Sequence, residues 1–244
     1  MPHKPHSSPC AAGSPHRQAC GQCDIRKDSM CAAVSDDELV RIESLVTHVT
    51  LGPGQTVFDE GDPRDFHYNV SDGVVRLFKM LPDGRRQITG FLFPGDHLGL
   101  AAHDTYSYSA EAVTDVHLCR FRAADLEALF EDLPDLALRL FSMVNDELAA
   151  AQEQIMLLGR KNPTEKLISF LLLMSERNVD RGLPPSPVFL PMRRADVADY
   201  LGLTIETVSR AFSRLKKEGV LSLPTDYTVV LENLDLLEEL ADES

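Results

Sequence analysis

The sequence predicts an α+β chain with a jelly-roll β-barrel first, one long helix next, and a smaller helical domain closed by a β-hairpin. Two observations carry this. Between residues 49 and 121, short β-prone runs alternate with turn residues at close intervals. After Ala123 the apolar period lengthens from about two to about 3.5, the period of a helix. Four segments follow from the pattern: a cysteine-bearing N-terminal segment (1–35), a β-roll (36–133), a long helix (134–160) and a C-terminal helical domain (161–244).

Composition sets the bounds. A chain of 244 residues with 43% hydrophobic residues can bury a substantial core in one large or two small domains. No apolar run approaches a membrane span, so no membrane partner is expected. The first thirty residues hold Pro, His, Ser and Cys but no apolar core of a secretory signal. The five cysteines are an odd count, which argues against a disulfide scaffold. A cytoplasmic protein with reduced thiols is the expectation.

Taken in order, residues 1–19 contain four prolines, three histidines and almost no large apolar side chain, so they are expected to be disordered. A short helix is predicted over Asp36–Val46, with Ser35 as its N-cap. The β-roll is read from turns at Gly52-Pro53-Gly54, Asp62-Pro63, Asp72-Gly73, Pro82-Asp83-Gly84, Pro94-Gly95-Asp96 and His103-Asp104. Between them, Gly73–Met80, Arg86–Phe93 and Val116–Phe121 read as strands.

In the long helix, Phe141, Val144, Leu148, Ala151, Ile155 and Leu158 recur at alternating spacings of three and four. That is a heptad seam, flanked by Glu147, Glu153 and Gln154. It predicts a two-helix homodimer interface; packing against the helix's own domain is the other reading. Asn162-Pro163 should break the helix, a new one should run over Thr164–Asn178, and Asp180–Pro191 should be a linker.

Arg194–Ser213 reads as a helix-turn-helix. Such a motif needs a small residue where its helices meet, a residue such as Gly in the turn, and a branched apolar anchor in the second helix. Ala198, Gly202 and Val208 supply these, and Val197, Leu201, Leu203 and Ile205 the remaining apolar positions. Thr204 can cap the second helix. Glu206, Ser209 and Arg210 lie on one face near its start, where side chains can reach base edges in the major groove, and Arg214 follows a turn later. Leu221–Leu223 and Thr228–Leu231 form a hairpin wing. The net charge of −14 looks wrong for a DNA binder, but residues 193–218 carry six basic against four acidic side chains. Residues 232–244 carry six acidic side chains and no basic ones.

Cys20, Cys23 and Cys31 are spaced C-x2-C-x7-C, and Cys119 stands far downstream. Thiolates are soft ligands that select iron–sulfur clusters, zinc or copper(I). Spacing alone leaves the choice between iron–sulfur and zinc open. Cys10 reads as a free thiol. No nucleophile–base pairing, G-x-S-x-G or phosphate-binding glycine loop is present, so no enzyme is expected.

The run from Ala198 to Gly202 followed by Leu203 to Arg210 resembles the recognition segment of the FNR branch of the CRP/FNR transcription regulators. The E-x-x-S-R signature of that branch falls on Glu206, Ser209 and Arg210. The similarity spans nearly the whole chain. It implies a [4Fe-4S] cluster on Cys20, Cys23, Cys31 and Cys119, destroyed by oxygen, although the gap before Cys31 is wider than in the enterobacterial prototype. It also implies a homodimer binding an inverted repeat of double-stranded DNA close to TTGAT–N4–ATCAA and activating RNA polymerase, with the Met80–Gln87 hairpin resembling a polymerase-contacting surface. Use of the thiols for redox, nitric oxide or zinc, or a cluster-free DNA-binding module, are the alternatives. The β-roll resembles a cyclic-nucleotide domain, but Tyr108 precedes Ser109-Ala110 where nucleotide binders have an arginine, so no cyclic nucleotide is expected.

Overall fold

The computed structural model describes residues 20–100 and 104–242. The expected disorder of residues 1–19, Cys10, and His103 of the His103-Asp104 turn lie outside them. The chain divides into two compact units, residues 1–79 with 90–147, and residues 80–89 with 148–244.

The first unit opens with helix α1 (Asp36–Leu45). Ser35 caps it as expected, in a reciprocal box with Glu38, and its buried face is Leu39 and Ile42. Eight strands follow: β1 (Thr47–Leu51), β2 (Thr56–Phe58), β3 (Phe66–Asp72), β4 (Val75–Met80), β5 (Arg86–Leu92), β6 (His97–Leu98), β7 (Ser109–Ala112) and β8 (Val116–Arg122). They form two sheets, ordered β1-β8-β3-β6 and β2-β7-β4-β5. The expected barrel is corrected here: these are two open sheets packed face to face. The inner faces meet through Tyr68, Val70, Leu98, Val116 and Leu118 on one side and Phe58, Val75, Leu77, Ala110 and Ala112 on the other. Alternation in a sequence tells which face of a strand is buried; it does not tell whether edge strands pair.

A second apolar cluster lies where the N-terminal segment, β8 and the following helices meet. Met30, Leu39, Ile42, Cys119, Phe121, Leu126, Leu129, Leu136 and Leu140 are among its buried members. The helical stretch after Ala123 is two helices, α2 (Ala123–Asp132) and α3 (Pro134–Arg160). Pro134 cannot continue α2 but is well suited to begin α3. Met30 has no exposed surface. Met30→Ala is therefore expected to cost about 2–5 kcal/mol by cavity formation, read from the urea midpoint.

In the second unit, α4 (Pro163–Asp180) begins one residue before the expected start. Pro163 occupies its first turn, and Asn162 accepts from the N–H groups of Thr164 and Glu165. The predicted linker contains an unforeseen strand, β9 (Val188–Phe189). It adds to the wing, giving the order β10-β11-β9 with β10 (Leu221–Thr225) and β11 (Thr228–Leu231). Helices α5 (Arg194–Leu201) and α6 (Ile205–Lys217) lie where the helix-turn-helix was predicted, and an unforeseen α7 (Leu234–Asp242) follows.

Candidate thiolate centre and nucleic-acid interface

The cysteine segment is a series of tight turns. The Cys23 N–H reaches the Cys20 carbonyl at 3.4 Å, and the Arg26 N–H reaches the Cys23 carbonyl at 3.1 Å. Residues Met30–Ala33 form a single 3-10 turn, capped by the Ser29 hydroxyl, which accepts from the Cys31 N–H at 3.2 Å. Arg26 pins the segment to the start of α1, pairing with Asp36 at 2.6 Å and donating to the Val34 carbonyl at 2.9 Å.

Two contacts fix this segment on the rest of the first unit. Gly95 has φ of +103°, and a Cβ there would lie 3.0 Å from Asp28 Cβ and 3.3 Å from its carbonyl oxygen. Only glycine combines that backbone with so close an approach. From α3, an Arg139 guanidinium nitrogen donates to the Asp28 carbonyl at 3.4 Å.

Cys119 is buried in β8, in register with His48 of β1 and Asn69 of β3. His48 Nδ1 stands 4.0 Å from its Sγ. Cys20 and Cys31 pack against the same apolar cluster that contains Cys119. Cys23 is close enough to Cys31 for its charge to act on it. Burial pushes the Cys31 thiol up to about 11, partly offset by the Ser29 hydroxyl, and burial also raises Cys23. These thiols are therefore protonated at neutral pH, and a metal that binds them must displace protons. No group of three or more His, Cys, Asp or Glu side chains forms a closed ligand set among the described residues. Cys20, Cys31 and Cys119 share one apolar cluster, and thiols on such a floor suit a soft, thiolate-bound group better than a hard cation.

In the second unit, the predicted Val197, Ala198, Leu201 and Val208 are buried, with Phe212 and Leu215, which were not foreseen, beside them, and Leu203 is half-buried. Ile205 departs from the prediction and is 48% exposed at the first position of α6. Gly202 takes the left-handed conformation that turns the chain, at φ of +63°. Thr204 caps α6, its hydroxyl accepting from the Thr207 N–H at 3.2 Å. Glu206, Ser209, Arg210 and Arg214 are exposed. Glu206's own backbone N–H holds its carboxyl low, helped by the Thr204 hydroxyl and, less, by the Arg210 charge. Arg214 pairs with Glu218 one turn on, at 2.8 Å. Arg194 lies over the Phe212 ring at 3.5 Å.

Residues 48–132 match the family described as the cyclic nucleotide-binding domain, and residues 165–240 the Crp-like helix-turn-helix domain. The nitrogen fixation regulation protein FixK of Bradyrhizobium diazoefficiens is 42% identical over 209 residues, 86% of this chain and 88% of that protein. The transcriptional activator protein FnrL of Cereibacter sphaeroides is 39% identical over 230 residues, covering 92% and 93%. The fumarate and nitrate reduction regulatory protein of Escherichia coli is 31% identical over 228 residues, covering 91% and 90%. This chain belongs to the CRP/FNR family. The solved structure of FixK2 from Bradyrhizobium japonicum superimposes with a TM-score of 0.77 at 36% identity, over 82% of this chain and 99% of that one. The chain is thus a DNA-binding transcription regulator, and its matched families and relatives are those of regulators rather than enzymes.

Other features of this CRP/FNR regulator bear on its site. On α3, Phe141, Val144, Leu148, Ala151 and Ile155 are exposed, as one face of a helix that nothing in the single chain covers among the described residues. Leu158 differs: it is half-buried, and its side chain lies 3.3 Å from where a Cβ on Gly202 would be. Tyr108, in the place of a nucleotide-binding arginine, packs its ring 5.6 Å from Phe58, and its hydroxyl accepts from the Gly99 N–H at 3.3 Å. Two groupings had no counterpart in the sequence reading. One is a chain of side chains around the buried His67 and Asn69, in which His97 bonds Asn69 at 2.7 Å and His67 at 3.3 Å, and His67 bonds Arg64 at 3.0 Å. The other surrounds α5, where Arg86 pairs with both Asp196 and Asp199.

Arg210→Ala is expected to cost about 1–3 kcal/mol at one guanine and to relax the preference there. Lys216→Ala should instead weaken every sequence alike with a shallower salt dependence. Binding to single-base operator variants separates the two. Equal loss on all variants for Arg210→Ala would make it a phosphate contact only.

Proposed function

We propose that this regulator senses oxygen through a [4Fe-4S] cluster held by Cys20, Cys23, Cys31 and Cys119. In the loaded state it dimerises along α3 and binds an inverted repeat close to TTGAT–N4–ATCAA, acting in the cytoplasm mainly as an activator. The observation that carries this reading is the convergence of the cysteine segment and β8 on one apolar cluster that also takes in Leu136 and Leu140 of α3. The relatives add support. A match covering 92% of the chain, as with FnrL, cannot be reached without entering residues 1–35, whereas the FixK match at 86% needs none of them.

When bound, such a cluster supplies an oxygen-labile tie among the four thiolates. The protein carries the rest of the switch. The turns over Cys20–Ser29 and the Ser29 cap set the loop, and the apolar floor covers one side of Cys20, Cys31 and Cys119. Asp28 seats the loop against Gly95 and accepts from Arg139, so the order of the loop bears directly on the first half of α3. A well-placed α3 presents Phe141, Val144, Leu148, Ala151 and Ile155 to a second copy. The dimer then sets two recognition helices about one DNA turn apart. Glu206, Ser209 and Arg210 read bases, with Thr204 and Arg214 beside them.

The exposed tip of the β4–β5 hairpin, with Met80, Leu81 and the Asp83–Arg85 ion pair, is the surface proposed to meet RNA polymerase. Cyclic-nucleotide sensing is not part of this reading, because Tyr108 offers a phosphate no cation.

Iron and sulfide analysis after anaerobic purification tests the proposal. Bound iron and sulfide with visible absorbance that bleaches in air is the expected result. Zinc in place of iron, or no metal at all, would contradict it.

A further inference from the structure

Helix α5 ends at Leu201, so the carbonyls of Ala198, Asp199, Tyr200 and Leu201 have no partner within the helix. The turn satisfies the first, with the N–H groups of Gly202 and Leu203 both directed at the Ala198 carbonyl. Side chains from three other elements take the remaining three. Gln87, in β5, donates to the Asp199 carbonyl at 2.7 Å and the Tyr200 carbonyl at 3.2 Å. Gln154 of α3 donates to the Tyr200 carbonyl at 2.8 Å. The buried Lys166 of α4 donates to the Leu201 carbonyl at 3.3 Å.

Arg86, beside Gln87, grips the same helix through its carboxylates. It pairs with Asp196 at 2.7 Å and with Asp199 at 2.9 Å. Asp196 is 3% exposed, and its other oxygen accepts from the Arg193 N–H at 3.1 Å, which closes the first turn of α5. A carboxylate so buried needs a charged partner. Asp199 sits in the last turn, where the helix dipole disfavours negative charge, and Arg86 offsets that. One guanidinium therefore holds both the first and the last turn of α5. Since α5 packs directly on α6, what fixes α5 fixes the recognition helix.

We propose that Arg86, supported by Gln87, is a positioning residue for DNA binding: it sets α5, and through it α6, at the angle at which a dimer meets both half-sites together. This rests on the dimeric DNA-binding reading but on neither the metal nor the operator sequence assigned above.

The test uses the full chain purified anaerobically and an operator selected by the wild-type protein from random duplexes. A second duplex carries one extra base pair between the half-sites. Arg86→Ala is expected to lose about tenfold affinity for the selected operator and much less for the lengthened one, so that the spacing preference shrinks. Iron content and dimerisation should be unchanged. Arg86→Lys should not restore it, since an ammonium cannot bridge two carboxylates as a guanidinium fork does. Reversing the pair, Arg86→Asp with Asp199→Arg, should restore most of the spacing preference. Gln87→Met, which removes a donor but no charge, should show a smaller loss of the same kind. Unchanged spacing preference in Arg86→Ala and Gln87→Met would overturn the inference. So would equal losses on both duplexes that the reversed pair fails to restore, which would mark a merely structural role. A wild-type selection that returns no two-half-site operator would instead fail the dimeric reading itself, and this inference with it.

Discussion

Cys119→Ser is expected to abolish cluster binding and oxygen-dependent promoter activation while leaving the β-roll folded. The exchange is nearly isosteric, and β8 is held in register between β1 and β3 along its length. The buried hydroxyl should cost only about 1–3 kcal/mol. What is lost is the one thiolate that comes from the sheet. Cys20→Ser, Cys23→Ser and Cys31→Ser should behave alike, because each removes a proposed ligand from the loop. Cys10→Ser should do little. Iron and sulfide content, with circular dichroism as the control for folding, reads the outcome. Retained cluster in Cys119→Ser with loss in Cys10→Ser would reassign the fourth ligand.

Leu148→Glu is expected to be monomeric and to fail on the inverted repeat even with iron bound. Leu148 is 55% exposed in the single chain, between Phe141 at 65% and Ile155 at 68%. A carboxylate there disturbs no packing within the chain, so the fold should be untouched. In a two-fold dimer each copy would meet its symmetry mate, and two desolvated like charges cost about 3–5 kcal/mol. Sedimentation under anaerobic conditions with iron analysis separates dimer loss from cluster loss. A dimer with full DNA affinity would mean that α3 uses another face.

Much of this was legible because local chemistry and tertiary structure agree. Ser35 caps the helix it was expected to open, and Ala198, Gly202 and Val208 play the roles their types imply. Other elements exist only through their partners. β9 is two residues long and is a strand only because it pairs with β11. α7 was hidden inside an acidic run, its apolar Leu237 and Ala241 buried beneath exposed charges. The cysteine spacing pointed to a thiolate site, yet no spacing could bring Cys20 and Cys31 to the cluster that holds Cys119. The hold on α5 was equally unreadable, since Arg86, Gln87, Gln154 and Lys166 are distant in sequence and ordinary in type. Leu158 kept the heptad period but half of its surface is taken up near the Gly202 turn.

Cluster, dimer and DNA binding are proposed to form one coupled switch. The most direct measurement follows a single anaerobic sample as air is admitted, recording bound iron, sedimentation and operator affinity together. Iron is expected to be lost first, and dimer and operator affinity to fall with it. Iron-free protein that stays dimeric and binds the operator as tightly as the loaded form would contradict this coupling.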